Sequence, residues 1–349
     1  MKAMVLHGLG QPLRLEDMPM PEPGPTDVLV RVRACGIGLT VVNLIATPGR
    51  VTSYPRIPGH EIAGEIVRVG AAVRNVKVGQ RVTSHFYLTC GQCRHCRSGR
   101  ETLCVNSRGN IGSATDGGYA EYVVLPERNT VLIPDGVSDV DAAIASDAIA
   151  TPYHACRKEA RLGPGDSVLI IGAGGGVGIH MVQMARLCGA RVLAADIGAD
   201  KLALAKEMGA DELIDASQAP LAEQARTITR GLGVDAVIDI VGSRATLEAG
   251  LQALAMRGRL VIIGAQPKPV YGEDPTFTVN PIDFLHRGLE LHASRYVNAA
   301  EIAQTLELVR LKRIKPVVTR IFALERVEEA HDLIRRNATA GRLAMAIDS

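Results

Sequence analysis

Beyond about residue 150 the chain repeats one order, a short apolar run followed by an amphipathic stretch, and this order limits the fold more than any other feature. VLIIG at 168–172 leads into VGIHMVQMARLCG, and RVLAAD at 191–196 leads into DKLALAKEMG. VDAVIDIV at 234–241 leads into a helix expected to run to Met256, and RLVIIGA follows at 259–265. Strands that are apolar on both faces need cover on both sides. Helices that carry the chain back between them supply it, so a doubly wound parallel sheet is expected. Before residue 150 the pattern differs. VLVRVRA at 28–34, IAGEIVRVG at 62–70 and YAEYVVL at 119–125 alternate with period two between Gly and Pro turns, the mark of half-buried β-strands. The tail holds a helical AAEIAQTLELVRLKR, a strand VVTRIF, a helix ERVEEAHDLIRR and a last strand LAMAID. The expected fold class is α/β. Residues 1–150 with 296–349 form a β-rich domain and 151–295 a parallel-sheet domain, a division that suits 349 residues.

Charge and composition narrow the partners. Lys plus Arg number 39 against 37 Asp plus Glu, with no basic run, so nucleic acid is not an expected partner. The start, MKAMVLHGLGQP, has no apolar core with a cleavage site, and no stretch approaches the roughly 20 apolar residues that span a bilayer. A cytoplasmic protein with no membrane partner is expected, acting on a small molecule. The absence of Trp leaves no aromatic cage to point at a substrate.

The turn IIGAGGGVG carries the first chemical signal. Gly172, Gly175 and Gly178 separate an apolar strand from an amphipathic helix, where missing side chains permit a tight turn, close approach of a pyrophosphate and close helix packing. Gly176 and Val177 lie in the same turn, and the helix N-terminus offers amides and a positive dipole end to phosphate. Asp196 ends the next strand at the distance, about 20 residues on, where a carboxylate accepts both hydroxyls of an adenosine ribose. A dinucleotide is therefore expected. Asp196 would repel the 2′-phosphate of NADP, and Ile197 and Gly198 follow it with no Arg, so NAD is favoured; Lys201 is close enough in sequence to reach the ribose.

Cys90, Cys93, Cys96 and Cys104 form a C-x2-C-x2-C-x7-C array. Four thiolates close a tetrahedral sphere and leave no position for water or substrate, so a zinc held there is structural. An iron–sulfur cluster would use the same four sulfurs. Cys35, Cys156 and Cys188 remain as free thiols, in keeping with a reducing compartment. His7, His85, His95, His154, His180, His286, His292 and His331 have no ligand-like neighbour at short spacing and read as ordinary hydrogen-bonded or exposed residues.

The cysteine array, GHE at 59–61, GAGGGVG at 172–178 and VLAADIGADKLALAKEMGAD at 192–211 together resemble the zinc-type medium-chain alcohol dehydrogenases along essentially the whole chain. The resemblance implies a GroES-like β-rich catalytic domain, a Rossmann cofactor domain, an active cleft between them, and homodimers or homotetramers. It implies hydride transfer between NAD and an alcohol or carbonyl compound, with Arg342 at the cofactor pyrophosphate and Gly264 beside the nicotinamide. A catalytic zinc is also implied, and here the chain departs from the pattern. The loop reads CGIGLTVVN, so the ligand cysteine aligns with Gly38, while Cys35 matches a non-ligating cysteine. His60 and Glu61 are present, and Asp147 stands where some members carry a third ligand.

Two readings of this site stay open. In one, Glu61 or a displaced Cys35 joins His60 and Asp147, and a second zinc polarises the substrate oxygen. In the other no second metal binds, and hydride from NADH adds to an activated carbon–carbon double bond while hydrogen-bond donors hold the enolate. Thr40 is the candidate donor, but Asn43 stands where a relay histidine would be and cannot pass a proton as imidazole does. His60, Glu61 and Asp147 could equally be polar residues hydrogen-bonded among themselves. A third alternative is a protein that only binds NAD(H), its catalytic centre lost with the cysteine at 38.

Overall fold

The structure is a computed structural model and describes residues 1–347. It divides into two compact units, Met1–Ala150 with the chain from Val297 onward, and Thr151–Tyr296.

The first unit is built on the strand Asp27–Ile37, in which all 11 residues are buried but for the half-buried Asp27, Arg31 and Arg33. It pairs antiparallel with three other strands, Ile62–Val69, Tyr122–Pro126 and Arg342–Ala346. The sheet runs on through Arg81–Ser84 to Thr130–Leu132 on one side and ends in the parallel strand Val318–Phe322 on the other. Register brings together residues far apart in sequence. Cys35 lies opposite Ile62, Leu343 lies opposite Ile37, and the Gly36 amide donates to the Glu61 carbonyl at 2.8 Å. The end of one strand, the start of the second and the start of the last are thereby packed at one place.

The helix Asp139–Ile144 starts at Ser138, whose hydroxyl accepts the Asp141 amide as an N-cap. It widens into a π-helical turn over Ala145–Ile149, which includes Asp147. Such turns push one residue out of the regular ladder, and they recur at functional sites.

The second unit is an all-parallel six-stranded sheet in the order Glu212–Asp215, Arg191–Asp196, Ser167–Ile171, Val234–Asp239, Leu254–Ile262, Glu290–Ala293. Helices Gly178–Leu187, Ala199–Glu207, Leu221–Ile228 and Arg244–Ala253 connect successive strands. This is the expected Rossmann arrangement. The expected helix to Met256 is corrected. It stops at Ala253, because Leu254 is buried in β-register with Val234, and the strand then kinks at Arg257, whose φ is +60°. The edge strand Glu290–Ala293 was not anticipated, since its half-polar ELHA lacks the apolar run of the central strands.

Asn129 shows how the first unit fastens its loops. Its side chain is buried, and its amide donates to the carbonyls of His85 and Tyr87. Asn129→Ala removes the amide donor to both carbonyls, so urea unfolding should show a loss of about 2 kcal/mol.

Candidate functional site

In the second unit the chain turns sharply after Ile171. Gly172 has φ +83°, and the amides of Gly172 and Ala173 both bond to the Ala195 carbonyl. A Cβ on Gly178 would lie 1.9 Å from the Gly172 carbonyl oxygen, so this glycine sets how closely the helix packs on the turn. The glycine of closest side-chain approach is Gly174, which the spacing argument passed over in favour of Gly175. A Cβ there would meet the Lys201 Cβ at 2.4 Å, whereas at Gly175 the nearest atom is 3.5 Å away. The run is one residue longer than the usual fingerprint, and this extra residue shifts the roles.

Asp196 is held firmly. Its Oδ2 accepts the Gly174 amide at 2.8 Å and its Oδ1 the Ile197 amide at 2.7 Å, while Lys201 Nζ lies 3.7 Å from Oδ1. The acid and the glycine turn therefore form one hydrogen-bonded unit beside the helix N-terminus at Gly176, Val177 and Gly178, a cradle suited to a dinucleotide. Two contributors were not legible. His180, fully buried, hydrogen-bonds through Nδ1 to the Gly176 carbonyl at 2.8 Å. Asp239 ends its strand with Oδ1 accepting the amides of Val241 and Gly242 at 2.8 and 3.0 Å. The adjoining Gly264 is explained by backbone packing, because a Cβ there would lie 2.0 Å from the Ile240 carbonyl oxygen.

Burial lowers the His180 pKa from 6.5 to about 4, so the folded state binds fewer protons than the unfolded chain between those values. Stability rises with pH across that window and is lost on acidification. Unfolding free energies compared between the protein and His180→Asn should show the parent losing on the order of 3 kcal/mol more between pH 7 and pH 4.

In the first unit Cys90, Cys93, Cys96 and Cys104 converge with their Sγ atoms within 4.8 Å of one another. Cys93 Sγ is 3.5 Å from that of Cys96 and 4.0 Å from that of Cys104, spacings that suit the edges of a tetrahedron around zinc. None of the seven cysteines forms a disulfide. Backbone amides of Gln92 and Cys93 lower the Cys90 thiol to about 6. Burial and the neighbouring Cys93 push Cys96 up to about 12, an opposition that a dication removes. Cys93→Ser should lower zinc content by about one ion per chain and speed amide exchange through residues 88–106.

The third cluster joins His60, Glu61 and Asp147, all buried, with donor atoms within 4.8 Å of one another. His60 Nε2 lies 3.1 Å from Asp147 Oδ2 and 3.9 Å from Glu61 Oε1. One expectation needs correction here. Cys35 is not part of the cluster; it is fully buried, its thiol contacts the Gly36 carbonyl at 3.6 Å, and burial raises its pKa well above the usual thiol range. Arg342 is buried against Glu61, with Nε donating to Oε2 at 3.3 Å and Nη2 in contact with Oε1. A second zinc needs three protein ligands, but Gly38 offers none, Cys35 lies outside the cluster and Glu61 is already paired with the buried Arg342. These residues do not fit it. Thr40 is exposed in the first turn of the helix Leu39–Ala46.

Comparison with known proteins adds to this geometry. Residues 24–135 match the alcohol dehydrogenase GroES-like domain and residues 176–310 the zinc-binding dehydrogenase domain. An NAD-dependent alcohol dehydrogenase of Sulfurisphaera tokodaii is 34% identical, over 98% of this chain and 99% of its own. Among solved structures, AibC superposes with a TM-score of 0.91 at 35% identity, covering 100% of this chain and 96% of that one. The alcohol dehydrogenase of Aeropyrum pernix superposes with a TM-score of 0.90 at 31% identity, covering 99% and 100%. Two matched domains and full-length relatives show that the chain belongs to the zinc-type alcohol dehydrogenase family of medium-chain dehydrogenases and reductases.

Proposed function

We propose that this chain transfers a hydride between the nicotinamide of NAD(H) and a small alcohol or carbonyl substrate. The observation that carries the proposal is the pinned Asp196, whose carboxylate stands at the end of its strand with the glycine turn bonded to it. In that position it accepts the ribose hydroxyls of NAD and repels the 2′-phosphate of NADP. The helix N-terminus at Gly176–Gly178 takes the pyrophosphate. When bound, the nicotinamide supplies or accepts the hydride. Thr40 is the proposed donor to the substrate oxygen, and zinc at the four cysteines holds the lobe. The relatives named NAD-dependent alcohol dehydrogenases support this reading.

One observation favours a second reading. The residues around His60 lack a full ligand set, and conjugate addition needs a Lewis acid less than carbonyl reduction does, because the charge spreads over an enolate. Hydride would add at the β-carbon of an enone or enal and a proton at the α-carbon. A cytoplasmic location and assembly as a homodimer or homotetramer complete the proposal. Among the described residues no helix is long and apolar enough to cross a membrane.

Nicotinamide absorbance should change when the protein is mixed with NADH and a panel of aldehydes, ketones and enones, or with NAD and alcohols. Faster turnover of enones would select the second reading, and silence across both panels would leave only a binding role. Asp196→Ala should weaken NADH binding about tenfold, roughly 1.4 kcal/mol, and narrow the preference over NADPH, read by calorimetry.

A further inference from the structure

We infer that Arg342 occupies the space of the missing side chain at position 38 and closes the His60–Glu61–Asp147 pocket as a metal-free ionic network. A Cβ built on Gly38 would lie 2.1 Å from Arg342 Nη1, 2.3 Å from Nη2 and 2.4 Å from the guanidinium carbon. These distances are far inside van der Waals contact, so a side chain at 38 requires the present Arg342 guanidinium to move. Gly36 does the same for the partner: a Cβ there would lie 2.0 Å from Glu61 Oε2. The two glycines of Gly36-Ile37-Gly38 thus leave room for the two halves of one buried ion pair.

Arg342 is not placed there by chance of rotamer alone. It opens the strand Arg342–Ala346, its amide bonds to the Val317 carbonyl at 2.9 Å, and Leu343 is in register with Ile37. Glu61 is fully buried, so a guanidinium that withdrew would strand a carboxylate away from water. The same Glu61 Oε1 that contacts Arg342 Nη2 lies 3.9 Å from His60 Nε2. A dication at His60 and Asp147 would therefore sit close to a fixed positive charge in a poorly screened interior, without the thiolate that offsets it in a complete ligand set.

Two measurements test this independently of turnover. Zinc content, read by elemental mass spectrometry after incubation with excess zinc and desalting, should be about one ion per chain in the protein and unchanged in His60→Ala. About two per chain, falling to one in His60→Ala, would overturn the inference whatever substrate the enzyme takes. The second is a double-mutant cycle on Gly38→Ala and Arg342→Lys, the lysine keeping the charge without the planar head. Gly38→Ala should lower Tm markedly in the parent and much less in the Arg342→Lys background. Equal losses in both backgrounds would show that the guanidinium does not lie against position 38. Should Gly38→Ala not fold at all in the parent, folding in the Arg342→Lys background supports the inference and failure there counts against it.

Discussion

A carboxylate sealed from water must have a cation beside it, and much of the first unit is arranged around meeting that need for Glu61. The residue sits just before one strand, its partner Arg342 begins another, and the strand between them carries Gly36 near its end with Gly38 just past it, the two glycines that leave space for both. Backbone pairing fixes the positions, and the ion pair fits where the three strand ends meet. Such a pair is weak evidence for stability on its own, but breaking it by losing one partner is costly. That asymmetry keeps the arrangement in place.

The second unit meets its electrostatic needs with the backbone. Asp196 and Asp239 each end a strand; Asp196 accepts the Ile197 amide and that of Gly174 in the turn after the neighbouring strand, and Asp239 accepts two amides from the turn that follows it, so two carboxylates hold two loops at the same edge of the parallel sheet. Ligands in open α/β sheets bind beyond this carboxyl edge. His180, kept neutral by burial, adds a bond to Gly176 from the helix below. The turn is thereby fixed before any ligand arrives, which lowers the ordering cost of binding.

Whatever depended on short-range pattern was legible in the sequence. The alternation of strand and helix, the cysteine spacing and the acid ending RVLAAD could all be read because each lies within a few residues or one βαβ unit. Arg342 could not be placed, since its contact with Glu61 spans 281 positions and depends on which strands pair. Cys35 was offered as a ligand from proximity to Gly38, but side chains alternate along a strand, and its thiol does not join the cluster. The usual fingerprint spacing points to Gly175 rather than Gly174 because this run is one residue longer, and a histidine on a helix gives no sign of which carbonyl it faces.

The crowding between positions 38 and 342 also bears on descent. A lineage that carries this glycine regains a thiolate ligand by one codon change only if the guanidinium moves away from position 38, and discarding the guanidinium first leaves a lone buried anion. The path that starts at position 342 crosses a destabilised intermediate, so a change at 38 is expected to come first.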